Sequence, residues 1–107
     1  MAGKTVVLMP STERVLEKMG AQIKTARLRR NISAELLAER ADISKATLSA
    51  IEKGVSTVSI SAYAAVLFSL GMDKDFELIA LDEEQKQRYR ELNLKLRERA
   101  TKRKGRR

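Results

Sequence analysis

Ser33–Lys53, SAELLAERADISKATLSAIEK, reads as two short helices joined by a tight turn, and this unit decides the fold. Ser33 is placed to cap the first helix, because its hydroxyl can accept from a free N–H of the first turn. Leu37, Ala38 and Ala41 follow at helical spacing, and Ala41-Asp42-Ile43 is too short for anything but a turn. Ser44 caps a second helix, whose Leu48 and Ile51 point inward three residues apart. The small Ala38 admits a close approach of the two helices, with Ile43 filling the gap at the turn. Lys45, Ala46, Thr47, Ser49, Ala50 and Lys53 are left facing outward. That face is small, polar and basic, which is what the floor of a DNA major groove accepts. Caps, turn, inward pattern and outward composition together favour a DNA-reading pair over an ordinary helical hairpin.

Upstream, residues 1–10 read as a short extended arm, in which Val6, Val7, Leu8 and Met9 are too apolar for a purely solvated tail. Pro10 closes the arm, and Ser11 or Thr12 is expected to cap a helix running to about Arg30. Its inward stripe is Val15, Leu16, Met19, Ile23 and Ala26, and the basic Arg27, Arg29 and Arg30 suit its negative pole. Downstream, Gly54 ends the outward-facing helix and Ser59 caps the next. Ile60, Tyr63, Val66, Leu67 and Leu70 recur there at core spacing, and Gly71 closes that helix. Phe76 to Leu81 is expected to form a fifth helix. Beyond it, Tyr89, Leu92 and Leu96 suit one face of a helix, while Leu92, Leu94 and Leu96 also alternate as in a strand. The surrounding Glu, Gln, Lys and Arg favour the helix.

A chain of 107 residues holds one modest core with extensions, and an aromatic content of only 4% makes that core aliphatic and helix-built. The absence of Cys and His excludes disulfides, thiol chemistry, the common zinc sites and His-based acid–base catalysis. Neither a Gly-rich phosphate loop nor a paired-carboxylate spacing occurs, so no catalytic, metal or cofactor site is expected, and Glu35, Glu39, Asp73, Asp75, Glu83 and Glu84 read as solvated helix faces. No apolar run reaches the ~20 residues of a membrane helix, and no signal peptide is visible, so a cytoplasmic location without membrane contact is expected. The net charge of +8 is unevenly spread: eleven basic and four acidic residues lie from position 83 onward, against eleven and ten before it. The terminal block Thr101-Lys-Arg-Lys-Gly-Arg-Arg107 can attract DNA phosphates without sequence choice, or serve as a solvated end.

Residues 19 to 71 resemble the helix-turn-helix domain of the Xre and lambda-type phage repressor family. MGAQIKTARLRRN, ISAELLAERADIS, KATLSAIEKG and VSISAYAAVLFSLG carry the resemblance in register. It implies that the second helix of the pair lies in the major groove, with Lys45, Ala46, Thr47 and Ala50 at base-reading positions. Ser33, Ala34 and the loop Val55 to Ser59, including Ser56 and Thr57, match positions that hold the phosphate backbone. Ser44, Ser49 and Lys53 complete the implied DNA-binding set. Arg27 and Glu52 match a structural ion pair of that family. The chain departs from the family pattern at Asp42 and Asn31, where glycine is usual; both residue types tolerate positive φ. Ala34 replaces a common Gln, and Leu36 replaces a usual polar residue.

The expected fold is all-α: a compact five-helix, lambda-repressor-like domain over 11–81, with an arm at 1–10 and a basic extension at 82–107. The expected function is that of a sequence-specific DNA-binding regulator, a repressor acting as a homodimer on double-stranded DNA. The alternative is an antitoxin: the layout also resembles the HipB-type antitoxins, which bind HipA-like kinase toxins and repress their own operons. The apolar Val6 to Met9, Leu36 and the Leu92-Leu94-Leu96 edge are candidates for subunit or partner contact.

Overall fold

A computed structural model of the chain describes the backbone of residues 6–105 and the side chains of residues 6–101. It is all-α, with α1 at Pro10–Arg29, α2 at Ala34–Arg40, α3 at Lys45–Glu52 and α4 at Ile60–Ser69, a 3₁₀ helix at Asp73–Leu78, and α5 at Glu83–Gly105. The chain divides into two compact units, one up to Asp73 and the other from Lys74.

In the first unit α1 begins two residues earlier than a Ser11 cap would place it, and three earlier than a Thr12 cap would. Pro10 is its first residue, where a fixed φ suits the helix and the missing N–H leaves nothing unpaired. The cap is the backbone of Met9, whose carbonyl accepts from Thr12 N–H at 2.9 Å and Glu13 N–H at 3.0 Å. No side chain caps this helix, so the expectation for Ser11 or Thr12 is corrected.

Ile23, Leu37, Leu48, Ile51 and Val66 are the fully buried large side chains, an aliphatic centre to which α1, α2, α3 and α4 all contribute. Helix α3 packs against the other three, and α2 also meets α4. Two expected core residues are instead exposed, Val15 at 64% and Ile60 at 72%. At about 100° per residue, Val15 lies about 80° around α1 from Ile23, at the margin of the stripe. Ile60 is the first residue of α4, with no preceding turn to share its cover. The turns on either side of α2 pass through the left-handed region at Asn31 (φ 53°) and Asp42 (φ 55°), as two residue types that tolerate it.

The segment expected as an α-helix over Phe76 to Leu81 is a 3₁₀ helix that starts and ends three residues earlier. Ile79 N–H closes onto the Phe76 carbonyl at 3.3 Å, the i→i+3 bond that such short runs favour.

In the second unit the ambiguous C-terminal stretch is a helix. Its start is a reciprocal box: Asp82 Oδ1 accepts from Gln85 N–H at 2.9 Å, and Gln85 Oε1 accepts from Asp82 N–H at 3.3 Å. The Arg88–Glu84 pair, Lys86–Glu83 at 3.6 Å and Gln87–Glu91 at 3.1 Å follow along its surface. Helical rotation divides the expected leucine edge, because Leu94 lies about 200° from Leu92 while Tyr89 and Leu96 stay near it. Of the expected basic block, the side chains of Lys102, Arg103 and Lys104 and the whole of Arg106 and Arg107 lie outside the described residues, as do residues 1–5 of the arm.

Candidate nucleic-acid interface

The α2–turn–α3 unit is built by two serine caps and one close approach. Ser33 Oγ accepts from Leu36 N–H at 3.1 Å, and Ser44 Oγ accepts from Thr47 N–H at 3.0 Å. Each cap satisfies one donor that the first turn would leave free. Between them Ile43 N–H reaches back to the Ala38 carbonyl at 3.0 Å, which Asp42 permits by turning through positive φ. Ala38 is buried, and its single methyl lets α2 lie close to the rest of the core.

Leu48 and Ile51 bury one side of α3. On the other side Lys45, Ala46, Ser49 and Lys53 are exposed, while Thr47 and Ala50 are half-buried. The Thr47 hydroxyl lies 2.8 Å from Ser44 Oγ, and either oxygen can donate. Ser33, Ser44, Ser56 and Thr57 are exposed, and Ala34 is half-buried.

Three contacts fix α3 to the scaffold. Arg27 of α1 donates from Nε to Glu52 Oε2 at 2.8 Å and from Nη2 to Oε1 at 3.2 Å, a two-pronged ion pair whose side chains are each about 10% exposed. Its remaining Nη1 donates to the Ile32 carbonyl at 3.0 Å, so one guanidinium ties α1 to the turn before α2 and to the end of α3. The hydrogen bond to Glu52 holds the Arg27 pKa above its ordinary value, against burial, which acts the other way. At Gly20 a Cβ would lie 2.6 Å from the Ile51 carbonyl oxygen and 2.7 Å from that of Glu52. Only a residue without a side chain lets the α1 backbone come so near. Tyr63 Oη donates to the Val55 carbonyl at 2.7 Å, tethering the loop after α3 to α4, and burial raises its phenol pKa.

Gly20, Tyr63 and Glu35 are the residues that sequence reasoning left out of the site. A tyrosine in an otherwise apolar helical stripe was a visible sign that one polar atom needed a partner there. The Gly20 and Glu35 contacts join positions far apart in sequence and have no local signature. Glu35 is not a free solvated carboxylate: its Oε1 accepts from Lys45 Nζ at 3.0 Å, across the turn.

The helix-turn-helix family model matches residues 23–67, from within α1 to near the end of α4. The chain carries a DNA-binding helix-turn-helix domain of the Xre and lambda-repressor type. The matched span of the helix-turn-helix takes in Arg27, both capped helices and Glu52. No curated protein matches the chain. Among the described residues no group of three or more Asp or Glu side chains is placed to hold a metal, and no helix is long and apolar enough to cross a membrane.

Proposed function

We propose that the chain is a sequence-specific transcriptional repressor that binds a two-fold operator as a homodimer, with α3 in the major groove and no cofactor. The observation that carries this reading is the face of α3. Its outward residues are small, polar or basic, and its inward side is locked by Leu48, Ile51 and the Arg27–Glu52 pair. Lys45, Ala46, Thr47 and Ala50 read base edges in this arrangement. Ser33, Ala34, Ser44, Ser49, Lys53, Ser56 and Thr57 serve docking on the phosphates. One helix of eight residues supplies few contacts, so two copies on half-sites about one helical turn apart supply the rest. The basic end of the chain adds phosphate attraction without sequence choice.

Selection of bound fragments from genomic DNA, with the native chain and with Lys45→Ala and Thr47→Val, tests the proposal. A two-fold motif is expected for the native chain. Each substitution is expected to change preference by about 1–3 kcal/mol per good base contact. Unchanged preferences in both variants would put a different face in the groove.

A second reading is favoured by exposed Tyr89, Leu92 and Leu96, which share one side of α5 and form an apolar surface that phosphate contact does not call for. In it the protein is a cytoplasmic HipB-type antitoxin that holds a HipA-like kinase and represses its own operon. Co-purification with the product of a neighbouring kinase gene, lost when Leu92 and Leu96 become Ser, supports this reading. A gene with no such neighbour leaves repression alone.

A further inference from the structure

We infer that Glu35 is a specificity-determining residue of the DNA interface: it holds the Lys45 ammonium off the phosphate backbone and aims it at an acceptor pair on a base edge, that of guanine. The inference rests on the reading of α3 as the groove-facing helix.

The geometry begins with the two helix starts. Glu35 lies in the first turn of α2, where the positive end of the helix favours an anion, and the Ser33 cap fixes that turn. Lys45 is the first residue of α3, whose start is fixed by Ser44. The turn through Asp42 brings these two rigid ends together, and Nζ donates to Glu35 Oε1 at 3.0 Å. The two side chains are 65% and 77% exposed, so the pair adds little to stability and remains open to a ligand.

An unrestrained lysine is a compact charge on a flexible four-carbon stem, with three donors and no preferred plane. Beside DNA it would satisfy a phosphate as readily as a base, and its contribution would be blind to sequence. Glu35 changes this in two ways. Its carboxylate takes one of the three donors, which limits where the other two point. It also carries a negative charge that a phosphate can approach only against repulsion, so an ammonium that left Glu35 for the backbone would leave that charge uncompensated. An acceptor pair without formal charge repels that carboxylate far less. In the major groove guanine offers one in O6 and N7, the pair that Lys and Arg most often read.

The test uses the full chain with Glu35→Gln, Glu35→Asp and Lys45→Ala, and with the double variant Glu35→Gln/Lys45→Ala. Each is scored for base preference, for binding to unrelated duplex at several salt concentrations and for thermal unfolding. Glu35→Gln is expected to bind unrelated duplex more tightly, and to lose preference for guanine at the Lys45 position by about two- to fivefold, the scale of an exposed ion pair. Glu35→Asp keeps the charge but shortens the reach, so preference falls while binding to unrelated duplex stays near native. In the Lys45→Ala background Glu35→Gln changes binding to unrelated duplex but not base preference. The melting temperature falls only slightly in all four, by no more than the loss of one exposed helix-end charge and one exposed pair. If Glu35→Gln tightens binding to every sequence equally and leaves the preference intact, Glu35 is only a repelling charge and the inference fails. If Lys45→Ala leaves preference unchanged while Thr47→Val alters it, α3 still faces the groove and the inference fails; if neither alters it, the groove-facing reading fails first, and the two failures are told apart.

Discussion

Helices α3 and α5 are held in place by opposite means. The first has only eight residues, too few to persist alone in water, yet Leu48 and Ile51 are almost wholly enclosed and Glu52 meets Arg27. The second has 23 residues, and its described side chains are exposed or half-buried. It is organised by the Asp82–Gln85 box and by charged or amide pairs three and four residues apart. Helix length is therefore a poor guide to what a substitution costs here. In α3 the stabilising partners are distant in sequence, and in α5 they are neighbours, so damage should spread in the one and stay local in the other.

The largest expected break lies at the ion pair. Arg27→Met strands the largely enclosed Glu52 carboxyl without its partner and should cost about 3–5 kcal/mol in urea unfolding. Restoring most of that loss by Arg27→Met/Glu52→Leu would show that the cost is the stranded carboxylate; a small loss in Arg27→Met alone would mean that α3 is held by packing only. Next comes Gly20→Ala. A mid-helix Gly→Ala ordinarily gains about 1 kcal/mol. Here the new methyl meets backbone atoms of residues 51, 52 and 54 below 3.0 Å, and overpacking costs about 1–3 kcal/mol, at the upper end when the obstacle is backbone. The net expectation is a loss of about 2 kcal/mol, and a stabilised variant would show that the two helices part easily.

Tyr63→Phe removes the hydrogen bond to Val55 and should cost about 0.5–1.5 kcal/mol at neutral pH. Burial raises the folded-state pKa of this phenol, so its neutral form is favoured by folding. That contribution is fully present below the unfolded tyrosine value and is lost as pH rises through the higher folded value. Native stability should therefore fall in the alkaline range more steeply than that of Tyr63→Phe, as alkaline melts of both proteins would show. The most local effect is expected in the second unit. Asp82→Ala should fray the start of α5 by about 1 kcal/mol, seen as faster hydrogen exchange over residues 83–88, with exchange in α3 unmoved. Parallel changes in both helices would abolish the distinction between them.

The parts legible in the sequence are those with short-range signals. Ser33 and Ser44 as caps, Asn31 and Asp42 as left-handed turn residues, and the helical spacing of Leu37, Ala38 and Ala41 and of Leu48 and Ile51 all act within a few positions. The match to a helix-turn-helix covers this same stretch. Departures occur where the outcome depends on what a second segment does. Val15 at the margin of its stripe and Ile60 at the start of its helix lack a neighbour to cover them, while Gly20 bears a requirement imposed by the end of α3. The Asp82–Gln85 box had a local signature in Asp-x-x-Gln, and the helix it starts is the form that the surrounding Glu, Gln, Lys and Arg favour over the alternation of the leucines. Glu35 resembles any solvated carboxylate until the turn delivers Lys45 to it.

Arg27 spends its three contacts on Glu52 and Ile32, and none on the outward residues of α3. In the proposed reading the mount and the lettering of that helix are thus separate objects. Lys45, Ala46, Thr47, Ser49, Ala50 and Lys53 could be exchanged for another outward set while the tilt of the helix stayed as it is. A transplant of specificity into this scaffold meets two ties: the side chain at position 47 meets the hydroxyl of the Ser44 cap, and the one installed at position 45 inherits a carboxylate at position 35, so positions 35 and 45 have to be chosen as a pair.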